Sequence, residues 1–291
     1  MISVENLSVQ FDGKKVLNQI SFQVKTGEII GLVAPNGTGK STLLNALMNY
    51  INPHHGIIEI NQLRYQTSQS EKKIHELITM MPDQSDLYGF LTGYEHLKMY
   101  SQMWSKTSIS IDGVVNQLQM AHYVHQKVGK YSLGMRQRLC FAMQIVANTP
   151  YMLMDEVMNG LDPTNISLLS TILEQKRCEG KAIMIASHLL ENLELYANRV
   201  FFLKEGQIIK EYQQDAPKQR VVKFKNTDFE FKHHSVYHLP NEISYFEVNT
   251  SEELEKYISL LTSNGITDFS VGIIDLSDLY AYYFEEKKVE E

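Results

Sequence analysis

The chain is 291 residues long, 43% hydrophobic and 21% charged, which fits a folded globular protein and excludes collagen-like, disordered and coiled-coil chains. Its 27 Lys+Arg against 34 Asp+Glu give a net charge of −7. That argues against a dedicated nucleic-acid binder, which carries a basic face, and no nucleic-acid partner is expected. No apolar run approaches the roughly 18 residues that cross a bilayer, so no direct membrane insertion is expected. The start, Met1–Phe11, lacks the basic and long apolar regions of a secretory signal. Cys140 and Cys178 lack metal-ligand spacing and read as small apolar residues of a reducing compartment.

In chain order, strand patterns at Ile2–Phe11 and Gln19–Val24 bracket the turn Asp12-Gly13. A buried strand at Ile29–Val33 leads into a glycine loop and then a helix from Gly39 to Met48. Strands follow at Gly56–Ile60 and Leu77–Met81. From Thr92 to about Ala147 the pattern turns helical, with three helices. Strands return at Tyr151–Met154, Ala182–Ala186 and Val200–Leu203, with helices between them. This alternation predicts an α/β domain with parallel central strands and a helical insertion over about 87–147.

Near Tyr212 the pattern breaks into a polar, proline-containing run. Residues 1–212 therefore read as the main domain, 213–220 as a linker and 221–291 as a small C-terminal α+β domain. In that domain Val221–Lys225 and Ile243–Val248 are strand-like. Thr250 and Glu253 form a capping box that opens a helix. Leu254, Tyr257, Ile258 and Leu261 share one face of that helix. A strand near Asp268–Ile274 and a helix near Leu276–Glu286 complete the domain. The ending Glu285–Glu291 reads as a charged, frayed terminus. The pairs His54-His55 and His233-His234 lack further ligands and are set aside as metal sites.

The strongest local signal is Gly31–Thr42, GLVAPNGTGKST. A buried strand, a tight glycine loop and a helix start point successive N–H groups into one concavity, which suits polyphosphate. The loop residues Ala34, Pro35, Asn36, Gly37, Thr38, Gly39, Lys40, Ser41 and Thr42 form the expected nucleotide cradle. Lys40 is positioned for the β- and γ-phosphates, and Ser41 offers a hydroxyl to Mg²⁺. The P-loop pattern places glycine where Ala34 stands. Alanine accepts negative φ, so a negative φ and retained nucleotide affinity are expected there.

Together with this loop, later motifs resemble the nucleotide-binding subunit of an ABC transporter. Met152–Glu156 is an apolar strand ending in two acids. The resemblance makes Asp155 a Mg²⁺ holder and Glu156 the general base. Val157 and Met158 stand where the family has proline and then threonine or serine. Asn159–Pro163 matches the D-loop, with Asp162 within it. Ser187-His188 matches the switch, with His188 reaching the γ-phosphate. Phe11 occupies the place of an aromatic under adenine. Tyr131–Gln137 aligns with the signature, in a Y-S-L-G-M form that resembles the antibiotic- and peptide-export branch, phenol-soluble-modulin exporter ATPases being one kind. Ser132 and Gly134 would grip the γ-phosphate bound by a second subunit. The Q-loop falls on Met81–Gln84. Strict alignment puts Asp83 in the glutamine position, while Gln84 is one place on and favoured for both Mg²⁺ and the water.

The resemblance implies a P-loop ABC ATPase fold and a homodimer or heterodimer around two Mg·ATP. It also implies a separate multi-span permease that receives this chain at the inner face of the membrane, and export of a drug, antibiotic or amphipathic peptide. The competing expectations are a soluble ABC ATPase of cluster-assembly type and a nucleotide-binding switch with little hydrolysis.

Overall fold

The computed structural model describes residues 1–225, 231, 234–240 and 242–285. His233, the end of the expected last helix at Glu286 and the charged run after Glu285 lie outside the described residues. The chain divides into two compact units, Met1–Gln214 and Asp215–Glu291.

The first unit begins with an antiparallel sheet. Strands β1 (Ile2–Phe11) and β2 (Lys14–Val24) form a hairpin, with β4 (His55–Ile60) on the other side of β1 and β5 (Leu63–Arg64) outside it. The hairpin turn uses Asp12 at φ 48° and Gly13 at φ 81°, and these left-handed angles match the strand twist. The second sheet holds β3 (Glu28–Val33), β6 (Ile78–Met80), β7 (Tyr151–Asp155), β8 (Ala182–Ala186), β9 (Arg199–Lys204) and β10 (Gln207–Gln213). Its order is β10-β9-β3-β8-β7-β6, parallel except for the edge strand β10. All six residues of β3 are buried, as a central parallel strand covered on both faces requires.

Helix α1 (Lys40–Leu47) follows β3. Its Leu43, Leu44 and Leu47 join one apolar cluster with Val4 and Leu17 of the first sheet and Leu32, Leu153 and Met184 of the second. That cluster fixes the helix start against the strand ends. The short helix α2 (Ser68–His75) was not expected from the pattern. Among its residues only Ile74 is buried, so no apolar stripe marks it. The helical block contains α3 (Gly93–Met103), α4 (Ile111–Gln117) and α5 (Leu133–Ala147). Helices α6 (Pro163–Cys178) and α7 (Leu190–Tyr196) connect β7, β8 and β9 in turn. Strand β10 was not expected from the pattern, and it runs on through Gln213, where the sequence reads as broken. It is an edge strand with an exposed outer face, so its polar residues resemble a loop. Among the described residues no helix is long and apolar enough to cross a membrane.

The second unit is an antiparallel sheet of order β12-β13-β11-β14, from β11 (Arg220–Lys225), β12 (Tyr237–His238), β13 (Ile243–Val248) and β14 (Phe269–Ile273). Helix α8 (Ser251–Ser263) is capped by Thr250, whose side chain accepts from Glu253 N. Leu254, Tyr257 and Leu261 of α8 pack on Val222, Phe224 and Phe246 of the sheet. Helix α9 (Leu276–Phe284) is tied to β11 through Lys223, which bridges Asp275 at 3.1 Å and also Asp278.

Candidate nucleotide site

The site is assembled at the C-terminal ends of β3, β7 and β8, where open α/β sheets bind ligands. After β3 the chain turns through Gly37 at φ 78° and Gly39 at φ 110°. Gly39 has no room for a side chain, since a Cβ there would lie 3.0 Å from Leu17 Cδ2 and 3.1 Å from the Val16 carbonyl. The start of β2 is therefore packed against the loop. Ala34 is fully buried and keeps a negative φ, so the missing glycine costs the backbone nothing. Thr38 Oγ1 donates to Pro35 O at 2.6 Å and closes the loop.

Lys40 is buried, and its Nζ donates to Ala34 O at 2.6 Å and Pro35 O at 3.3 Å. Burial holds the ammonium below its ordinary range, opposed by the charges of Glu156 and Asp155. Ser41 and Thr42 lie in the first turn of α1, where helix N–H groups lack intrahelical partners. Ser41 Oγ donates to Asp155 Oδ2 at 2.5 Å. Burial raises the Asp155 carboxyl above its ordinary range, partly offset by the Ser41 hydrogen bond. Asn36 and Gly37 are exposed at the loop tip.

Asp155 pairs in register with Ala186, and Glu156 N donates to Ala186 O at 2.9 Å. Adjacent parallel strands thus deliver Glu156 and His188 side by side, with His188 Nδ1 2.8 Å from Glu156 Oε2. Glu156 has φ 50°, a left-handed angle that glutamate seldom adopts and that surrounding contacts must hold. Val157 and Met158, the departures from the family pattern, are buried.

The Met81–Gln84 segment separates its two candidates. Asp83 caps a short 3-10 turn, Gln84–Asp86, accepting from Ser85 N at 2.8 Å. The hydrogen bonds from Ser85 hold the Asp83 carboxyl below its ordinary range. Gln84 instead turns toward the strand ends, its Nε2 donating to Gln137 Oε1 at 2.5 Å. Gln137 donates in turn to Glu156 O at 3.0 Å and Val157 O at 2.9 Å. The motif reading gave Gln137 no role. Its one sequence signal is its place at the end of the Tyr131–Gln137 motif, between Arg136 and Arg138. His96 was also missed: it accepts from Tyr88 N at 3.0 Å and meets Thr92 O at 2.8 Å, fixing the loop after the turn.

The remaining residues lie on other edges. Phe11 ends β1 with 47% of its surface exposed, a free aromatic face rather than a core residue. Ser132 caps α5, accepting from Met135 N at 3.3 Å. Ser132 and Leu133 are exposed, so the start of this 15-residue helix faces outward. Gly134 lies close to the D-loop, since a Cβ there would sit 3.5 Å from Gly160 O. Asp162 caps α6, accepting from Asn165 N at 3.0 Å, and that hydrogen bond holds its carboxyl below the ordinary range. A groove of about 710 Å³ runs beside the Gln84 turn and reaches Asp155 and Glu156. Methionines 80, 81, 99, 103 and 143 line it, with Asp83 and Asp86 at its acidic side and no Lys or Arg in its lining.

The donor set fits a magnesium nucleotide. Among the described residues no group of three or more His, Cys, Asp or Glu could hold a metal alone. A serine hydroxyl beside one carboxylate leaves most of a cation's shell to water and phosphate oxygens, the arrangement Mg²⁺ favours.

The comparisons with known proteins give the family and the fold. The ABC transporter family matches residues 17–159. The chain is 35% identical over 210 residues to the ABC transporter ATP-binding protein YdbJ of Bacillus subtilis, covering 72% of this chain and 68% of that protein. It is 31% identical over 226 residues to the lantibiotic transport ATP-binding protein SrtF of Streptococcus pyogenes, covering 78% and 96%. Its fold matches the dimeric ATP-binding cassette MJ0796 bound to ADP and Pi with a TM-score of 0.65, at 22% identity, over 75% of this chain and 100% of that one. The chain belongs to the ABC transporter family as one of its ATP-binding proteins, and it is an ATPase.

Proposed function

We propose that this chain is the motor subunit of an exporter, closing as a dimer around two Mg·ATP and driving a separate membrane permease. The observation that carries the reading is the Glu156–His188 pair at 2.8 Å, beside the Ser41–Asp155 pair at 2.5 Å. Glu156 takes a proton from the attacking water as its oxygen bonds to the γ-phosphorus. The β–γ bridging bond breaks, and ADP leaves with the electron pair. His188 holds Glu156 through Nδ1 and presents its other ring nitrogen to the γ-phosphate. Lys40 donates to the β- and γ-phosphate oxygens, and the loop N–H groups receive the rest of the polyphosphate. Phe11 offers its exposed face to adenine. Ser41 and Asp155 would hold Mg²⁺, with the Gln84 amide oxygen as a further donor. When bound, Mg²⁺ neutralises charge on the phosphate oxygens.

The outward-facing start of α5, with Ser132 and Gly134, supports a head-to-tail dimer. A helix N-terminus is an anion site, and here it would complete the site of the second subunit. The groove beside Gln84 supports docking of a cytoplasmic permease helix. Methionines adapt to an apolar helix face, and the acidic side suits a basic one. This docking would place the chain at the inner face of the membrane. The similarity to SrtF, named for lantibiotic transport, supports a drug, antibiotic or amphipathic peptide as cargo.

The test is purification of the tagged full chain from gently solubilised membranes. A stoichiometric multi-span protein that raises ATP turnover is expected. A complex with soluble assembly proteins alone contradicts the reading.

A further inference from the structure

We infer that Gln137 is a positioning residue that transmits the position of the Gln84 turn to the backbone of Glu156. The inference rests on Glu156 being the general base.

Gln137 is 5% exposed, on the second turn of α5. Its side chain is committed on three sides. Nε2 has two hydrogens, and one meets Glu156 O at 3.0 Å and the other Val157 O at 2.9 Å. Oε1 accepts from Gln84 Nε2 at 2.5 Å. An amide is planar, so it cannot turn toward one partner without losing the others. The carbonyls it holds belong to the residue at φ 50° and to the residue after it, and that φ persists only under constraint. Gln84 opens the turn that lines the groove with Asp83 and Asp86. Anything seated in the groove that shifts this turn pulls on Gln137 first. The Glu156 backbone follows, and its carboxylate moves relative to the water it activates. Gln137 touches no reacting atom and acts through Glu156.

A side chain that only satisfied two buried carbonyls would have the same burial. Gln137→Lys separates the two roles, because an ammonium can donate to both carbonyls but cannot accept from Gln84. The experiment measures steady-state ATP turnover and ATP affinity of the full chain as wild type, Gln137→Lys, Gln84→Ala, the double variant and Glu156→Gln. A misplaced base predicts a kcat loss of about tenfold or more for Gln137→Lys, with ATP affinity retained. The double variant is no slower than Gln84→Ala alone, since one link is cut twice. Wild-type turnover in Gln137→Lys overturns the inference, as does a double variant that loses the product of the single losses. Wild-type turnover in Glu156→Gln removes the base reading and the inference together. A silent Glu156→Gln beside a fully active Gln137→Lys removes the inference alone.

Discussion

Ser41 Oγ donates to Asp155 Oδ2 at 2.5 Å across 114 positions of sequence. One residue lies in the first turn of α1 and the other ends β7, so the contact closes the phosphate loop onto the acidic strand end. It exists because Leu43, Leu44 and Leu47 bury α1 in the same cluster as Leu153 of β7. Packing, hydrogen bond and chemistry are therefore one arrangement. The consequences are separable by mutation and pH.

Lys40→Ala removes the buried ammonium that the loop carbonyls hold. A charge-assisted contact to phosphate contributes about 1.5–3 kcal/mol, or roughly a 10- to 150-fold loss in ATP affinity. Titration with a fluorescent nucleotide measures it. Unchanged affinity would remove this loop from the site.

Ala34→Gly restores the glycine of the common P-loop pattern and is expected to destabilise. Ala34 is buried at negative φ, so glycine gains nothing in the fold and loosens the unfolded chain. The cost, with the lost methyl packing, is about 1–2 kcal/mol. The midpoint of urea unfolding falls while ATP affinity holds. A gain in affinity would show that Ala34 distorts the cradle.

Acidification is expected to weaken Mg²⁺ binding at a higher pH than it would at an ordinary carboxylate. Burial raises the Asp155 carboxyl, and a cation requires its ionised form. As pH falls through the raised value the proton competes with Mg²⁺, so the Mg²⁺ needed for nucleotide binding rises. In the nucleotide-free fold the sign reverses. A raised carboxyl contributes stability below its unfolded value of about 4 and loses it as pH rises through the folded one. Nucleotide binding measured against Mg²⁺ between about pH 4 and 7 checks this, and a flat Mg²⁺ requirement would contradict it.

These predictions depend on parts of the site that differ in how legible they were. The phosphate loop, Asp155-Glu156 and Ser187-His188 could be read because each is contiguous and sits at the end of a buried strand. The strand alternation gave the parallel sheet for the same reason. The Gln84–Gln137–Glu156 chain could not be read, since its members are 53 and 19 positions apart and meet only through packing of α5. Asp83 and Gln84 were ambiguous by alignment. Their difference lies in local geometry, where Asp83 accepts from Ser85 N and caps the turn. Helix α2 and strand β10 were hidden by exposure, because a polar surface element has no apolar period.

In the second unit, Lys223 joins β11 to α9 through Asp275 and Asp278. Burial opposes the Lys223 charge, but the hydrogen bonds to Asp278 and Asp275 outweigh it and hold the ammonium above its ordinary range. Lys223→Ala leaves the buried Asp278 uncompensated, at a cost of about 3 kcal/mol. Urea unfolding followed by tyrosine fluorescence measures the loss. ATP binding, which lies in the first unit, is expected to persist.

The most direct test of the account is Glu156→Gln in the full chain, followed by ATP turnover and light scattering with Mg·ATP. Loss of the base predicts turnover lower by about 10²–10⁴-fold. With ATP retained, the particle mass doubles as the two sites close on each other. Turnover equal to wild type, or an ATP-loaded monomer, would contradict the central claim.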